Sequence, residues 1–176
     1  MEYMEKMLKH ILRNFPEKEL LYQKLHDENE SNEATHALDN SFDEFCELSE
    51  ETVELTSTTV LSLAKFLSKI DFHRLSCELI WCSGFLAVLE FIQNRGLKVA
   101  VSSDTRIRTF LIVLSKELRR KFAVFESCHG SFYTNDRDGY EVALGLKDAH
   151  EFIEDLRALE LTEEEKTQLE NICFDE

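Results

Sequence analysis

The stretch that decides the fold is LSCELIWCSGFLAVLEFI, which runs from Leu75 to Ile92. Its residues are apolar on nearly every side of a helix, with two acids among them, Glu78 and Glu90. Two carboxylates strongly disfavour a membrane-spanning helix, because a charged side chain is costly at the centre of a bilayer. A helix that is apolar all round is stable in water only when other helices surround it. We therefore expect a buried central helix.

The segments before this helix show the spacing of amphipathic helices. Apolar residues recur at helical intervals from Met4 to Phe15. They do so again from Leu38 to Leu48, where the opposite face is acidic. A third helix, apolar over a wide arc, is predicted from Val60 to Ile70, and its N-cap candidates are Ser57, Thr58 and Thr59.

The ends of the central helix also carry signals. Asp71 is a plausible N-cap, since a carboxylate can accept the free amides of the first turn, and Gly96 is the expected left-handed residue at the other end. The next helix opens at Ser102 to Asp104 and ends in the basic run KELRRK. A short further helix, Phe122 to Phe125, is expected to break at CHGSF.

The C-terminal part predicts two more helical pieces, from Val142 to Leu146 and from Phe152 to Leu161. The whole chain is expected to be all-α, with seven to nine helices around the hydrophobic central helix. We divide it into a helical domain over residues 1–150 and an acidic C-terminal helix or tail over residues 151–176, without a membrane anchor.

Composition narrows the class of protein. The 176 residues include 35 Asp and Glu against 20 Lys and Arg, for a net charge of −15. That charge disfavours nucleic acid and anionic membranes as partners. Five Cys without C-x-x-C spacing argue against a disulfide framework and a thiolate metal site. The apolar neighbours of Cys77 and Cys82 indicate buried, reduced thiols in a cytoplasmic protein.

No catalytic constellation stands out in the sequence. It has no glycine-rich phosphate loop, and its six His residues form no metal-ligand spacing. Cys128 and His129 are adjacent, and adjacent side chains seldom face each other as nucleophile and base. We predict that the chain is not an enzyme and that it uses no cofactor or metal, although a helical hydrolase with an unrecognised site stays open.

Three segments together resemble the homology motifs of the Bcl-2 (B-cell lymphoma 2) family of apoptosis regulators. LDNSFDEF, Leu38 to Phe45, is similar to the third motif (BH3), with Phe42 where the family has a small residue. DFHR, Asp71 to Arg74, is similar to the Asn-Trp-Gly-Arg of the first motif. FESCHGSF, Phe125 to Phe132, is similar to the second motif, with Phe for Trp at both ends. The departures are typical of a divergent member, such as one carried by a large DNA virus.

The resemblance implies a Bcl-2-like bundle with an apolar groove that binds the BH3 helix of pro-apoptotic partners of the Bim, Bak and Bax type. Arg74 would pair with the partner's Asp, and a surface salt bridge is its alternative role. His73 stands where the family has Gly, so it would crowd the incoming helix and narrow the partner range. The residues expected to line the groove, each with a plain place in the core as the alternative, are Phe45, Val53, Leu61, Phe66 and Phe72.

Within the family, Phe42 favours a protein that sequesters death-promoting helices over one that donates its own, because a donated helix needs a small residue there. We therefore predict an anti-apoptotic protein in the cytoplasm, the host's cytoplasm if the chain is viral. Homodimerisation is left open. The alternative is an acidic all-helical adaptor or immune modulator that binds host proteins through another face, and it would be indifferent to changes at Arg74.

Overall fold

The computed structural model describes residues 56–101 and 103–174, with side chains as far as residue 171. These ranges contain helices and no strand, which confirms the all-α prediction for this part of the chain. The predicted helices from Met4 to Phe15 and from Leu38 to Leu48 lie outside the described residues. The seven described helices are α1 (Ser57–Lys69), α2 (His73–Asn94), α3 (Asp104–Leu114), α4 (Lys116–Lys121), α5 (Ala123–Thr134), α6 (Gly139–Ala158) and α7 (Glu163–Phe174).

The central helix is α2, as predicted. It packs against α1, α5 and α6, and nearly all of its residues between Leu75 and Ile92 are buried. By length and composition alone it is the one described helix that would suit a membrane, but 89% of its most apolar window is buried inside the protein. Cys77 and Cys82 lie in this core as free thiols, as their apolar neighbours indicated.

The prediction that Asp71 caps α2 is wrong. The N-cap of α2 is Phe72, which makes no side-chain capping bond. Asp71 instead ends α1: it has a φ of 66°, its N–H donates to the Ser68 carbonyl at 3.3 Å, and the Phe72 N–H donates to the Leu67 carbonyl at 2.9 Å. This pair of bonds is a Schellman motif, which needs one left-handed residue, and Asp is among the few non-glycine residues that adopt it readily.

The opposite end of α2 follows the prediction. Gly96 has a φ of 66°, and the N–H of Leu97 donates to the Ile92 carbonyl at 3.0 Å, as in a Schellman motif. The N-cap of α1 is Thr56 rather than one of the three residues after it, because its side chain accepts the Thr59 N–H at 3.2 Å.

Three expectations about the C-terminal half are corrected. KELRRK forms its own helix, α4, since the Ser115 hydroxyl caps a new helix there. CHGSF does not break a helix: α5 runs through it and ends where Asn135 adopts a left-handed conformation. The two pieces expected after residue 140 are one helix, α6, which Asp138 opens with a capping box. Position 150, our proposed division, falls inside α6.

Candidate binding site at the start of the central helix

Arg74 lies in the first turn of α2 and is partly exposed. Its Nε donates to the Phe132 carbonyl at 2.5 Å, and its guanidinium carbon lies 5.0 Å from the centroid of the Phe132 ring. Phe132 is in the last turn of α5, where carbonyls lack helical partners and a cation is favourable. No carboxylate of the described residues forms an ion pair with Arg74. The guanidinium is therefore anchored through one edge only.

His73 packs against the start of α6. A Cβ added to Gly139 would lie 3.1 Å from two atoms of the imidazole, so the ring abuts this glycine closely. Its Nε2 lies 3.8 Å from an Asp71 carboxylate oxygen, while its Nδ1 is buried without a hydrogen-bond partner. The first residues of α2 and α6 and the last turn of α5 thus meet at one place.

A hydrogen bond between a buried carboxylate and a partly exposed imidazole lies one turn further along α2. The Glu78 side chain is 5% exposed, and its carboxylate lies 2.8 Å from Nδ1 of His129 on α5, whose side chain is 31% exposed. The His129 ring lies 5.0 Å from Trp81 and 5.2 Å from Tyr133, centroid to centroid. Burial raises the pKa of Glu78, and the hydrogen bond with His129 opposes that shift.

Sequence reasoning missed this pair. In the sequence, His129 stands out only as a candidate base beside Cys128, and Glu78 only as a charge that disfavours membrane insertion. The available signal was that Arg74, Glu78 and Trp81 follow the i, i+4, i+7 spacing of one helix face.

A second polar cluster lies beside α6. The interaction between the neighbouring thiols of Cys77 and Cys128 lowers the pKa of Cys77 and raises that of Cys128. Arg137 donates to the Cys128 sulfur at 3.5 Å and to the Ser127 hydroxyl at 2.6 Å. Because Cys128 and the neighbouring histidine engage different partners, they do not form a nucleophile–base pair.

The apolar residues expected to line a groove are placed as follows. Leu61, Phe66 and Phe72 are buried members of the hydrophobic core. Leu61 and Phe66 point in directions roughly 140° apart, since successive helical residues turn by about 100°. The two therefore do not share a face of α1. Phe45 and Val53 lie outside the described residues.

Large apolar side chains are exposed on α5 and α6. Tyr133 is 67% exposed, and its ring lies 5.2 Å from that of Phe132. Tyr140, 73% exposed, follows the glycine that His73 contacts, and Leu144, 44% exposed, lies one turn further along α6. We call Arg74, Phe132 and Tyr133, which the ring contacts and the hydrogen bond link, the aromatic corner. Tyr133, Tyr140 and Leu144 are three of the four large apolar residues that are strongly exposed in the described part of the chain.

Comparison with known proteins gave no match to any family model, any curated protein or any solved structure.

Proposed function

We propose that this chain is a Bcl-2-like anti-apoptotic protein that binds the BH3 helix of pro-apoptotic partners, with Arg74 pairing with the partner's Asp. The observation that carries the proposal is the state of Arg74. It is partly exposed, it is held through Nε by the Phe132 carbonyl, and neither of its terminal nitrogens bonds to a described residue. A preorganised guanidinium whose two terminal NH2 groups are both open suits a carboxylate well.

The meeting of two motif-like segments also supports the proposal. DFHR and FESCHGSF are separated by fifty residues of sequence, yet Arg74 of the first contacts Phe132 of the second through a hydrogen bond and a cation–π contact. The first segment opens the central helix, α2, and the second lies in α5, which packs against α2. LDNSFDEF lies outside the described residues and adds nothing to this argument.

The composition of the aromatic corner is typical of a protein–protein contact. Tyr and Arg are enriched among the residues that dominate binding energies, because each combines a large contact area with a polar group. The apolar face of an amphipathic helix would contact Tyr133, while its Asp reached Arg74. Loss of one partner of such a charge pair typically costs about 2–5 kcal/mol of binding free energy.

The test is calorimetric titration of the full chain with BH3 peptides of the Bim, Bak and Bax type. We expect sub-micromolar binding to one or a few peptides, and an affinity at least about thirtyfold lower for Arg74→Ala. Arg120→Ala is the matched control, because Arg120 is exposed and pairs only with exposed Glu117 among the described residues. A peptide whose Asp is changed to Ala should bind the natural protein as weakly as Arg74→Ala binds the original peptide.

A circular dichroism melt of Arg74→Ala separates loss of binding from loss of the Phe132 contact. If no peptide binds the folded natural protein, or if Arg74→Ala and Arg120→Ala bind equally well, the proposal fails.

The second candidate, an acidic adaptor, is favoured by one feature of the sequence. Residues 25–55 contain eleven Asp and Glu and no Lys or Arg. Such a stretch attracts basic partners through long-range electrostatics, which salt screens. A partner captured by this route would be insensitive to Arg74→Ala and would dissociate steeply as the salt concentration rises.

A further inference from the structure

The carboxylate of Glu78 is placed to compete for Arg74. The two residues are four apart on α2, and Cβ atoms at this spacing lie roughly 5–6 Å apart on one face. Both side chains engage α5, Arg74 at Phe132 and Glu78 at His129. Glu78 is therefore the carboxylate on α2 best placed to pair with Arg74.

The pairing does not form, because α5 supplies a separate partner to each group. The Phe132 carbonyl accepts the Nε–H of Arg74. One turn earlier on α5, Nδ1 of His129 hydrogen bonds with the Glu78 carboxylate. The imidazole itself is held between the Trp81 ring and the edge of Tyr133. The arrangement keeps an arginine and a glutamate apart although they share a helix face.

We infer that His129 is a positioning residue: by holding Glu78, it keeps the Arg74 guanidinium open to a carboxylate on another molecule. This inference rests on the proposed function, since it describes the regulation of the same site. Glu78 acts as an internal competitor, and His129 sets how strongly it competes.

Replacing His129 should leave the Glu78 carboxylate without its hydrogen-bond partner and allow it to pair with Arg74. A carboxylate buried as deeply as Glu78 is unfavourable without a partner, and Arg74 is the cation one turn away. A Glu that follows an Arg along an exposed helix is the weaker order for such a pair, but burial reduces solvent screening and strengthens it. Once paired internally, Arg74 would lose its open edge.

The experiment uses His129→Phe, which keeps an aromatic ring beside Trp81 and removes the nitrogen that bonds Glu78. The probe is a synthetic amphipathic peptide of about twenty residues that carries one Asp, titrated against the full chain. We expect His129→Phe to weaken binding by about tenfold or more, the scale of a hydrogen bond to a charged group. The double variant His129→Phe/Glu78→Gln should regain most of that affinity. His150→Phe, at an exposed position on α6, is the matched control.

A second readout needs no peptide. The Nε–H of Arg74 is held by the Phe132 carbonyl, so its NMR signal should be shifted and slow to exchange in the natural protein. In His129→Phe the chemical shift of this Nε–H should change, because Arg74 then pairs with Glu78. In the double variant the chemical shift should return to its value in the natural protein.

The outcomes separate the two ideas. If Arg74 Nε–H is unchanged in His129→Phe, or if Glu78→Gln fails to restore affinity, His129 has only a structural role and the inference is overturned. If the natural protein binds no peptide, the proposed function falls, while the NMR signal still decides whether His129 keeps Glu78 away from Arg74.

Discussion

Replacing Gly84 by alanine tests the close approach of α2 and α5. A Cβ at Gly84 would lie 2.4 Å from Cδ1 of Phe125, whereas carbon atoms normally meet at about 3.5–4.0 Å. Phe125 is fully buried, and its ring centroid lies 5.1 Å from that of Phe122 and 5.0 Å from that of Phe152. The Phe125 ring cannot move without displacing both neighbouring rings, so α2 and α5 must move apart to accommodate the added methyl group.

Two opposing effects set the size of the loss. Extra atoms in a packed core cost about 1–3 kcal/mol, and an overlap of more than 1 Å with a confined ring belongs at the upper end. The higher helix propensity of alanine stabilises a helix interior by about 1 kcal/mol relative to glycine, which offsets part of this cost. We expect Gly84→Ala to lower the free energy of unfolding by about 2 kcal/mol in urea titrations. The melting temperature should fall by roughly 4–8 °C for a chain of this size.

Gly130→Ala is the matched control, because Gly130 lies inside α5 and an added Cβ would meet nothing within 4 Å. This variant should gain about 0.5–1 kcal/mol from helix propensity alone. Adding Phe125→Leu to Gly84→Ala should recover part of the loss by making room. If Gly84→Ala proves as stable as the natural protein, the argument from close helix packing is refuted.

Two further predictions concern the two carboxylates of α2, Glu78 and Glu90. Burial raises the pKa of Glu78 above its ordinary 4.5, so protonation favours the folded state and this contribution is lost as the pH rises through the raised pKa. Urea titrations should therefore show Glu78→Gln gaining stability relative to the natural protein as the pH rises above the ordinary pKa of 4.5. A stability difference that stays constant with pH would contradict this. Glu90 accepts the N–H and the hydroxyl of Ser57 at 2.5 and 2.6 Å, at the start of α1. Glu90→Gln should lose about 1–2 kcal/mol, against under about 0.5 kcal/mol for exposed Glu154→Gln, and equal losses would rule this capping role out.

The sequence predicts α2 well because its signal is local. A helix that is apolar on every side is stable when other helices surround it, and Gly96 marks the end of this one. Asp71 was misread because α1 and α2 are only three residues apart, so the end signal of one helix overlaps the start signal of the next. An Asp satisfies either reading, and only the backbone bonds to α1 decide between them.

The error at CHGSF has a different cause. Gly130 and His129 are poor helix formers, and their intrinsic preferences suggested a break. Packing of α5 against the central helix overrides that preference, as Phe125 and Cys128 are both buried in the interface. Tertiary contacts of this kind are absent from local sequence patterns.

The candidate site was predictable only in part, for the same reason. Arg74 stood out from the resemblance, whereas the bond between Glu78 and His129 joins residues that are 51 apart. Such a bond depends on the register of two helices, and register is set by the packing between them.

The register of α2 against α5 links stability to the proposed binding site. From Gly84 to Glu78 to Arg74 the contacts on α5 advance from Phe125 to His129 to Phe132, so the two helices run antiparallel. The tight contact at Gly84 lies roughly 15 Å along α2 from Arg74, at 1.5 Å per residue. A separation of the helices at Gly84 should therefore loosen the bonds at Glu78 and Arg74 as well. Gly84→Ala, although buried and remote from the surface, should then weaken peptide binding together with Arg74 Nε–H protection, and Gly130→Ala should change neither.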